Sequence, residues 1–233
     1  MKNLLTTITF TLITSVIVNA QSDQKSLEII NKSIDAIGGK KKLENVKTLY
    51  TEMQINNDPV FYITKEKAPN KGSLEVKVNG NSVFGYRFDG EKGFEKQNGQ
   101  IKQMPDEEIT DKKNRKYIFN ELAYIDPTIW TFNYVGEVDL NNSKAHKLKG
   151  ENKNGTIEYI YFDSNNFRKV KSENIVMNDE NNLSTFEYLD YRTLDGLIVN
   201  YKLIHTDPKK VITTMTFTKQ EINKGITDKD FIY

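Results

Sequence analysis

Apolar residues recur along this chain in two periods. From Ser26 to Ile37 the positions Leu27, Ile29, Ile30, Ile34 and Ile37 follow helical spacing, and Gly38-Gly39 supplies a glycine stop, so the pattern predicts one amphipathic helix. From Lys47 to Ile55 the period shortens to two, with Leu49, Thr51, Met53 and Ile55 on one side. A helix with one apolar stripe must bury it, and the strand offers a face, so the helix is expected to lie across a sheet.

Beyond residue 55 the strongest signals are turns. Asn79-Gly80, Asp89-Gly90, Asn98-Gly99, Asn154-Gly155 and Asp195-Gly196 are dipeptides that accept the positive φ angles of tight hairpins. Between them run alternating segments: Leu74, Val76 and Val78, then Phe84, Tyr86 and Phe88, and later Tyr159 and Tyr161, Phe186 and Tyr188, Val199, Tyr201 and Leu203, Met215 and Phe217. This predicts an antiparallel meander with one apolar face and disfavours a parallel βαβ arrangement. One stretch breaks the pattern. Over 105–126 the acids Asp106-Glu107-Glu108 precede a basic segment and then Tyr117, Ile118, Phe119, Leu122, Tyr124 and Ile125, which suits one or two helices docked on the sheet. Asp126-Pro127 should end them, because a residue before proline is driven out of helical geometry.

Composition acts mainly by exclusion. The chain has 233 residues, 33 basic and 32 acidic, for a net charge of +1, so it offers no global attraction to nucleic acid. Its 12 Tyr and 12 Phe are too many large apolar side chains for a disordered polymer, and the length suffices for a single core. Residues 1–20 join a basic start at Lys2, an apolar-rich stretch and the small-residue end Val18-Asn19-Ala20, the pattern of a cleavable export signal. Residues 21–233 then form one domain, with no linker or repeat to divide it. Cysteine is absent, which removes disulfides, thiolate nucleophiles, thiolate metal sites and an acylated N-terminal cysteine.

No catalytic constellation emerges. His146 and His205 fall in different predicted strands without the spacing of paired metal ligands, and no Gly-x-Ser-x-Gly elbow is present. Neither a metal, nor another cofactor, nor an enzymatic role is expected; a hydrolase is the weakest reading. Gly38-Gly39 followed by Lys40-Lys41-Lys42 is a helix stop and not a phosphate cradle, since it follows a helix instead of opening one. The aromatic excess carries more meaning. A long antiparallel sheet tends to curl, and helices that fail to fill the hollow of a curled sheet leave an apolar pocket.

Several segments resemble the LolA-type lipoprotein-carrier and outer-membrane lipoprotein-sorting superfamily. They are Leu27-Glu28-Ile29-Ile30 through Ala36-Ile37-Gly38-Gly39, Lys42-Leu43-Glu44-Asn45-Val46, Ala68-Pro69-Asn70-Lys71, Phe88-Asp89-Gly90-Glu91-Lys92-Gly93-Phe94, Tyr161-Phe162-Asp163 and Tyr191-Arg192-Thr193-Leu194-Asp195-Gly196. The resemblance covers nearly all of residues 21–233 and rests on turn and packing motifs. It implies a mainly β (α+β) fold, a strongly curved antiparallel half-barrel with helices over its concave face, whose apolar interior shelters acyl chains in the periplasm. It also implies an inward arginine that holds the roof shut, a place that neither Arg87, opposite in parity to Phe84 and Phe88, nor Arg192, beside a turn, fills.

The expected function is a periplasmic, or else secreted, monomeric carrier of a lipid or an acylated lipoprotein, with membrane-bound donor and acceptor partners. The expected cavity lining, read from strand parity, is Leu74, Val76, Val78, Phe84, Tyr86, Phe88, Trp130, Tyr159, Tyr161, Val199, Tyr201, Leu203, Met215 and Phe217. The alternative is an envelope sensor or scaffold that binds a protein partner through the curved sheet.

Overall fold

The computed structural model describes residues 21–140, 143–176 and 179–233, so the export-signal reading of residues 1–20 lies outside it. Helix α1 (Gln24–Ala36) and the single turn α2 (Lys40–Glu44) come first. Six strands follow: β1 (Thr48–Ile55), β2 (Val60–Lys67), β3 (Lys71–Val78), β4 (Asn81–Phe88), β5 (Gly93–Gln97) and β6 (Gln100–Gln103). The expected interruption holds α3 (Asp106–Asn114) and α4 (Asn120–Tyr124), and α4 stops short of Asp126-Pro127. The second run comprises β7 (Trp130–Leu140), β8 (Ser143–Asn152), β9 (Ile157–Asp163), β10 (Lys169–Val176), β11 (Asp179–Leu194), β12 (Leu197–Thr206) and β13 (Ile212–Ile222), before a short 3-10 turn at Asp228–Phe231.

All 13 strands form one antiparallel sheet that is curved and unclosed, in the order β6-β5-β4-β3-β2-β1-β13-β12-β11-β10-β9-β8-β7. Two meanders are thus zipped together where β1 meets β13. The glycine-containing turns do the reversing. At Asn79-Gly80, Asn98-Gly99 and Asp195-Gly196 both central residues have positive φ, the geometry whose twist matches a two-residue hairpin. The β1–β2 reversal uses Asn56 and Asn57, at φ 53° and 60°, since asparagine tolerates the left-handed region.

Helix α1 starts on an Asp23 cap that also fastens it to the sheet edge. The Asp23 carboxylate accepts the Ser26 amide at 2.8 Å and the Tyr134 amide of β7 at 2.5 Å. Burial opposes this charge, but those bonds outweigh it and hold the Asp23 pKa below the usual carboxylate range. Ile29, Ile30 and Ile34 are completely or almost completely buried against the sheet. The helix closes with the Gly39 amide on the Ile34 carbonyl at 2.9 Å, and Gly39 has φ 90°.

Candidate ligand-binding site

The helices lie on one face of the sheet and cover only part of it. Beneath α1 and α4, the residues Phe132, Leu148, Ile160 and Phe162 are fully buried, and Leu148 stands directly opposite Ile160 across the β8–β9 ladder. Tyr124 of α4 packs edge-on to Trp130 and Phe132, with ring centroids 6.0 and 5.2 Å apart. Phe132 faces Gly150 on β8, where an added Cβ would come within 2.3 Å of the ring. That glycine is required by close approach and not by backbone angle. A second, smaller core joins Phe88 to Met104 and to Ile109 of α3.

Away from the helices the same face is apolar but only half-buried. Cross-strand partners share a face, so the register traces a ladder from Phe84 through Val76, Tyr62 and Met53 to Phe217, spanning β4, β3, β2, β1 and β13. At about 4.8 Å between strands this row is about 19 Å long. A parallel row runs from Ile55 through Met215 and Leu203 to Tyr188. Leu74 and Tyr86 form the next rung, and Val78 sits opposite Val60. All these side chains are half-buried, neither sealed in a core nor fully in water.

Five residues of the expected lining occupy other places, Phe88 among them in the smaller core. Tyr159 and Tyr161 stand on the opposite face, because Glu158, Ile160 and Phe162 turn inward; Lys147 lies over both tyrosine rings, at 4.2 and 5.2 Å. Tyr201 packs against the main core, with the Arg192 guanidinium 4.6 Å from its ring. Trp130 stacks on Phe132 at the edge strand, 5.7 Å between centroids. Val199 is buried at the rim of a cavity beneath the roof.

That cavity has a volume of about 200 Å³ and lies between the roof segment 115–121 and the sheet. Ile37, Leu49, Ile118, Phe119, Ile198 and Phe217 give it apolar walls, and Phe217 joins it to the open ladder. Its far end is polar, with Lys169, Tyr188, Tyr191, Asn200 and Gln220 from the sheet and Glu121 from α4. Lys169 and Glu121 form an ion pair at 3.5 Å with side chains only 8% and 12% exposed. The Lys169 ammonium also sits 4.4 Å from the Tyr188 ring centroid. Burial alone would discharge Lys169, but Tyr124, Tyr188, Glu121 and Glu158 outweigh it and keep its pKa above the ordinary lysine value. Burial pushes the Glu158 carboxyl up, against Lys169 and hydrogen bonds from Ser172 and Tyr124 that pull it down.

A cation from the sheet therefore does reach the roof, but it is a lysine of β10. Sequence parity did not find it, since a lysine in an alternating strand is normally read as solvent-facing. Arg115 fastens the roof from above: it pairs with Glu66 of β2 and donates to the Tyr117 and Ile118 carbonyls at 3.0 Å each. The opposite face of the sheet holds a smaller, polar hollow of about 140 Å³ near Lys65, Arg87, Asp230 and Tyr233. There Arg87 bonds to the Ile232 carbonyl and Lys65 to Asp230.

Both histidines pack as flat rings. His146 stacks on Phe167 at 5.7 Å, and His205 stacks on Phe186 at 4.4 Å with its Nε2 2.9 Å from Ser184 Oγ. Among the described residues no group of acidic or histidine side chains is arranged to hold a metal ion, and no helix is long and apolar enough to cross a membrane.

No protein-family profile and no curated protein sequence matches the chain. Solved structures do share its architecture. The chain is similar to a DUF1329 family protein from Desulfovibrio piger, with TM-score 0.63 and 11% identity over 89% of this chain and 97% of that one. It is similar to a domain assigned to outer-membrane lipoprotein sorting from Vibrio parahaemolyticus, with TM-score 0.60 and 14% identity over 89% and 96%. A LolA superfamily protein from Nitrosomonas europaea gives TM-score 0.58 and 9% identity over 89% and 97%. The chain thus has the fold of LolA superfamily proteins, the curved half-barrel that its sequence resemblance implied.

Proposed function

We propose that this protein is an exported, non-enzymatic carrier that shelters the acyl chain of a lipid or of a lipidated protein on the apolar face of its sheet. The observation that carries this reading is the uncovered ladder Phe84, Val76, Tyr62, Met53 and Phe217 beside the cavity under the roof. A row of large apolar side chains left partly accessible across five strands forgoes some of the burial energy that a folded chain ordinarily takes. An acyl chain would complete the burial on both sides. Each methylene withdrawn from water contributes about 0.8 kcal/mol, so a chain of about sixteen carbons gains on the order of 12 kcal/mol from such shelter.

The cavity alone, at about 200 Å³, is smaller than the ~300–1,000 Å³ of ordinary ligand pockets. It accepts part of a ligand, and the remainder lies along the open rows. Around the cavity the roof segment meets the sheet through the Lys169–Glu121 ion pair and through Arg115, so this part of the roof is the element that shifts on loading. Delivery to a membrane follows from the same physics, because a bilayer offers the chain an equally apolar place.

Titration with a fluorescent long-chain fatty acid, together with mass spectrometry of organic extracts of the purified protein, tests the proposal. Saturable binding at about one equivalent, competed by unlabelled fatty acid, is the expected result. Absence of both binding and any extractable lipid would overturn it in favour of a scaffold that engages a protein partner.

A further inference from the structure

Polarity runs the wrong way for a ligand whose head stays in water. The open end of the site is apolar, at Phe84, Val76, Tyr62 and Met53, whereas the polar groups lie deep, at the roofed end. Two of those deep groups are donors with unused capacity. The Asn200 Nδ2 is buried without a hydrogen-bond acceptor, although Asn200 lines the cavity. Lys169 lines it too, and its ion pair with Glu121, at 3.5 Å, is longer than the ~2.7–2.9 Å of a charge-assisted hydrogen bond. A buried ammonium carries three donors, and a buried amide left unpaired is costly.

We propose that the ligand is a single acyl chain ending in an ionised carboxylate, seated head-first under the roof against Lys169 and Asn200, with its tail leaving past Phe217 onto the open ladder. This rests on the carrier reading and narrows it. The cavity volume favours a carboxylate with its first few carbons, because the head of a two-chain glycerolipid together with its linkage needs more room than about 200 Å³. Charge sets the order of events. An anion beside Glu121 is repelled, so the ligand takes the place of Glu121 as the partner of Lys169, and the Glu121 side chain turns away. Loading thereby frees the roof from the sheet at the point where head and helix compete. Glu158 stays near Lys169, and burial holds its carboxyl above the usual range against the opposing pull of Lys169, Ser172 and Tyr124.

The test is a displacement titration with hexadecanoate, methyl hexadecanoate and hexadecanol on the intact protein and on Lys169→Met, with circular dichroism to check folding. Hexadecanoate is expected to bind at least about tenfold tighter than the ester or the alcohol, as a charge-assisted bond predicts. Lys169→Met should erase that preference while keeping ester binding. Should Lys169→Met fail to fold, Asn200→Leu should narrow the preference several-fold. Equal affinity for acid and ester in the unmodified protein overturns the head-first carboxylate and leaves the carrier reading standing; a preference that survives in both variants also overturns it. Failure of all three ligands to bind removes the carrier reading and this inference together.

Discussion

Two regions of one sheet face are built from similar residue types and end in opposite states. Under α1 and α4, Phe132, Leu148, Ile160 and Phe162 are sealed; across β4 to β13, Phe84, Val76, Tyr62, Met53 and Phe217 remain partly accessible to water. The difference is the roof and not the strands. Helix α1 brings Ile29, Ile30 and Ile34, all at most 1% exposed, whereas α3 brings only Ile109 as a buried residue. The sheet is wider than the helices available to cover it. Folding stability accordingly resides in the covered region, and the other is where the proposed ligand would lie.

The largest effect should come from cutting into the covered region. Phe132→Ala removes a fully buried ring that packs on Tyr124 and Trp130, at an expected cost of about 3–5 kcal/mol. Phe84→Ala, at a half-buried position, should cost less, about 1–2 kcal/mol. Urea unfolding midpoints of the two variants give the comparison directly, and equal losses would abolish the distinction between the regions. Next in size is Gly150→Val. Its Cβ would fall within 2.3 Å of the Phe132 ring, so overpacking should remove about 1–3 kcal/mol, with Phe132→Ala partly restoring stability in the double variant because it vacates the same space.

A third substitution pair turns the comparison from stability to binding. Phe84→Asp places a charge on the open ladder and should weaken acyl-chain binding about tenfold or more, the energy of a few methylenes. Arg87→Asp, three residues along and on the opposite face among Ile232 and Tyr233, should leave binding within about twofold. Fluorescent fatty-acid titration measures both, and a similar loss in the two variants would show that the assigned facing has no functional meaning.

How far these regions were readable in advance depended on whether local chemistry and burial agreed. The hairpins at Asn79-Gly80 and Asp195-Gly196 were legible because positive φ angles demand those residues wherever the strands go. The Phe84, Tyr86 and Phe88 row was assignable as one face because its alternate positions hold Gly85 and Arg87, and the register keeps it together. In β9 the same logic could not choose. Tyr159 and Tyr161 alternate with Ile160 and Phe162, both rows are apolar, and the larger tyrosines invite the wrong preference. The deciding information lies on the neighbouring strand, where Lys147 and Lys149 pair with Tyr161 and Tyr159 while Leu148 pairs with Ile160. Strand β10 was harder still: its inward residues include Lys169 and Ser172, so the polar pocket end erased the apolar alternation that would have revealed the strand. The sequence pattern thus failed at the one place where the site departs from an oily lining.

The smallest effect concerns the hydrogen-bonded cluster around Asp126, just after α4. Asp126 follows α4, and its carboxylate accepts from the Thr128 amide at 2.9 Å, from Lys116 at 3.0 Å and from the Tyr117 hydroxyl at 3.2 Å. Partial burial opposes its ionisation, but the bonds from Thr128 and Lys116 win and hold its pKa down to about 2. A carboxyl depressed in the folded state stabilises that state above its unfolded value, near 3.8, and this contribution disappears as pH falls through about 2. Asp126→Asn lacks the increment, so the stabilities of the two proteins, read from thermal unfolding, should differ above pH 4 by less than about 1 kcal/mol given solvent screening of Lys116, and converge toward pH 2. The pair must be measured side by side, because Asp228 is held down to about 2 as well, by Lys71 and Lys67, and titrates identically in both. A constant gap down to pH 2 would mean that the clamp acts through shape alone. Convergence would show that acid loosens the Asp126 end of the roof by protonation, through a group separate from the Lys169–Glu121 pair, so the two fastenings can be released one at a time.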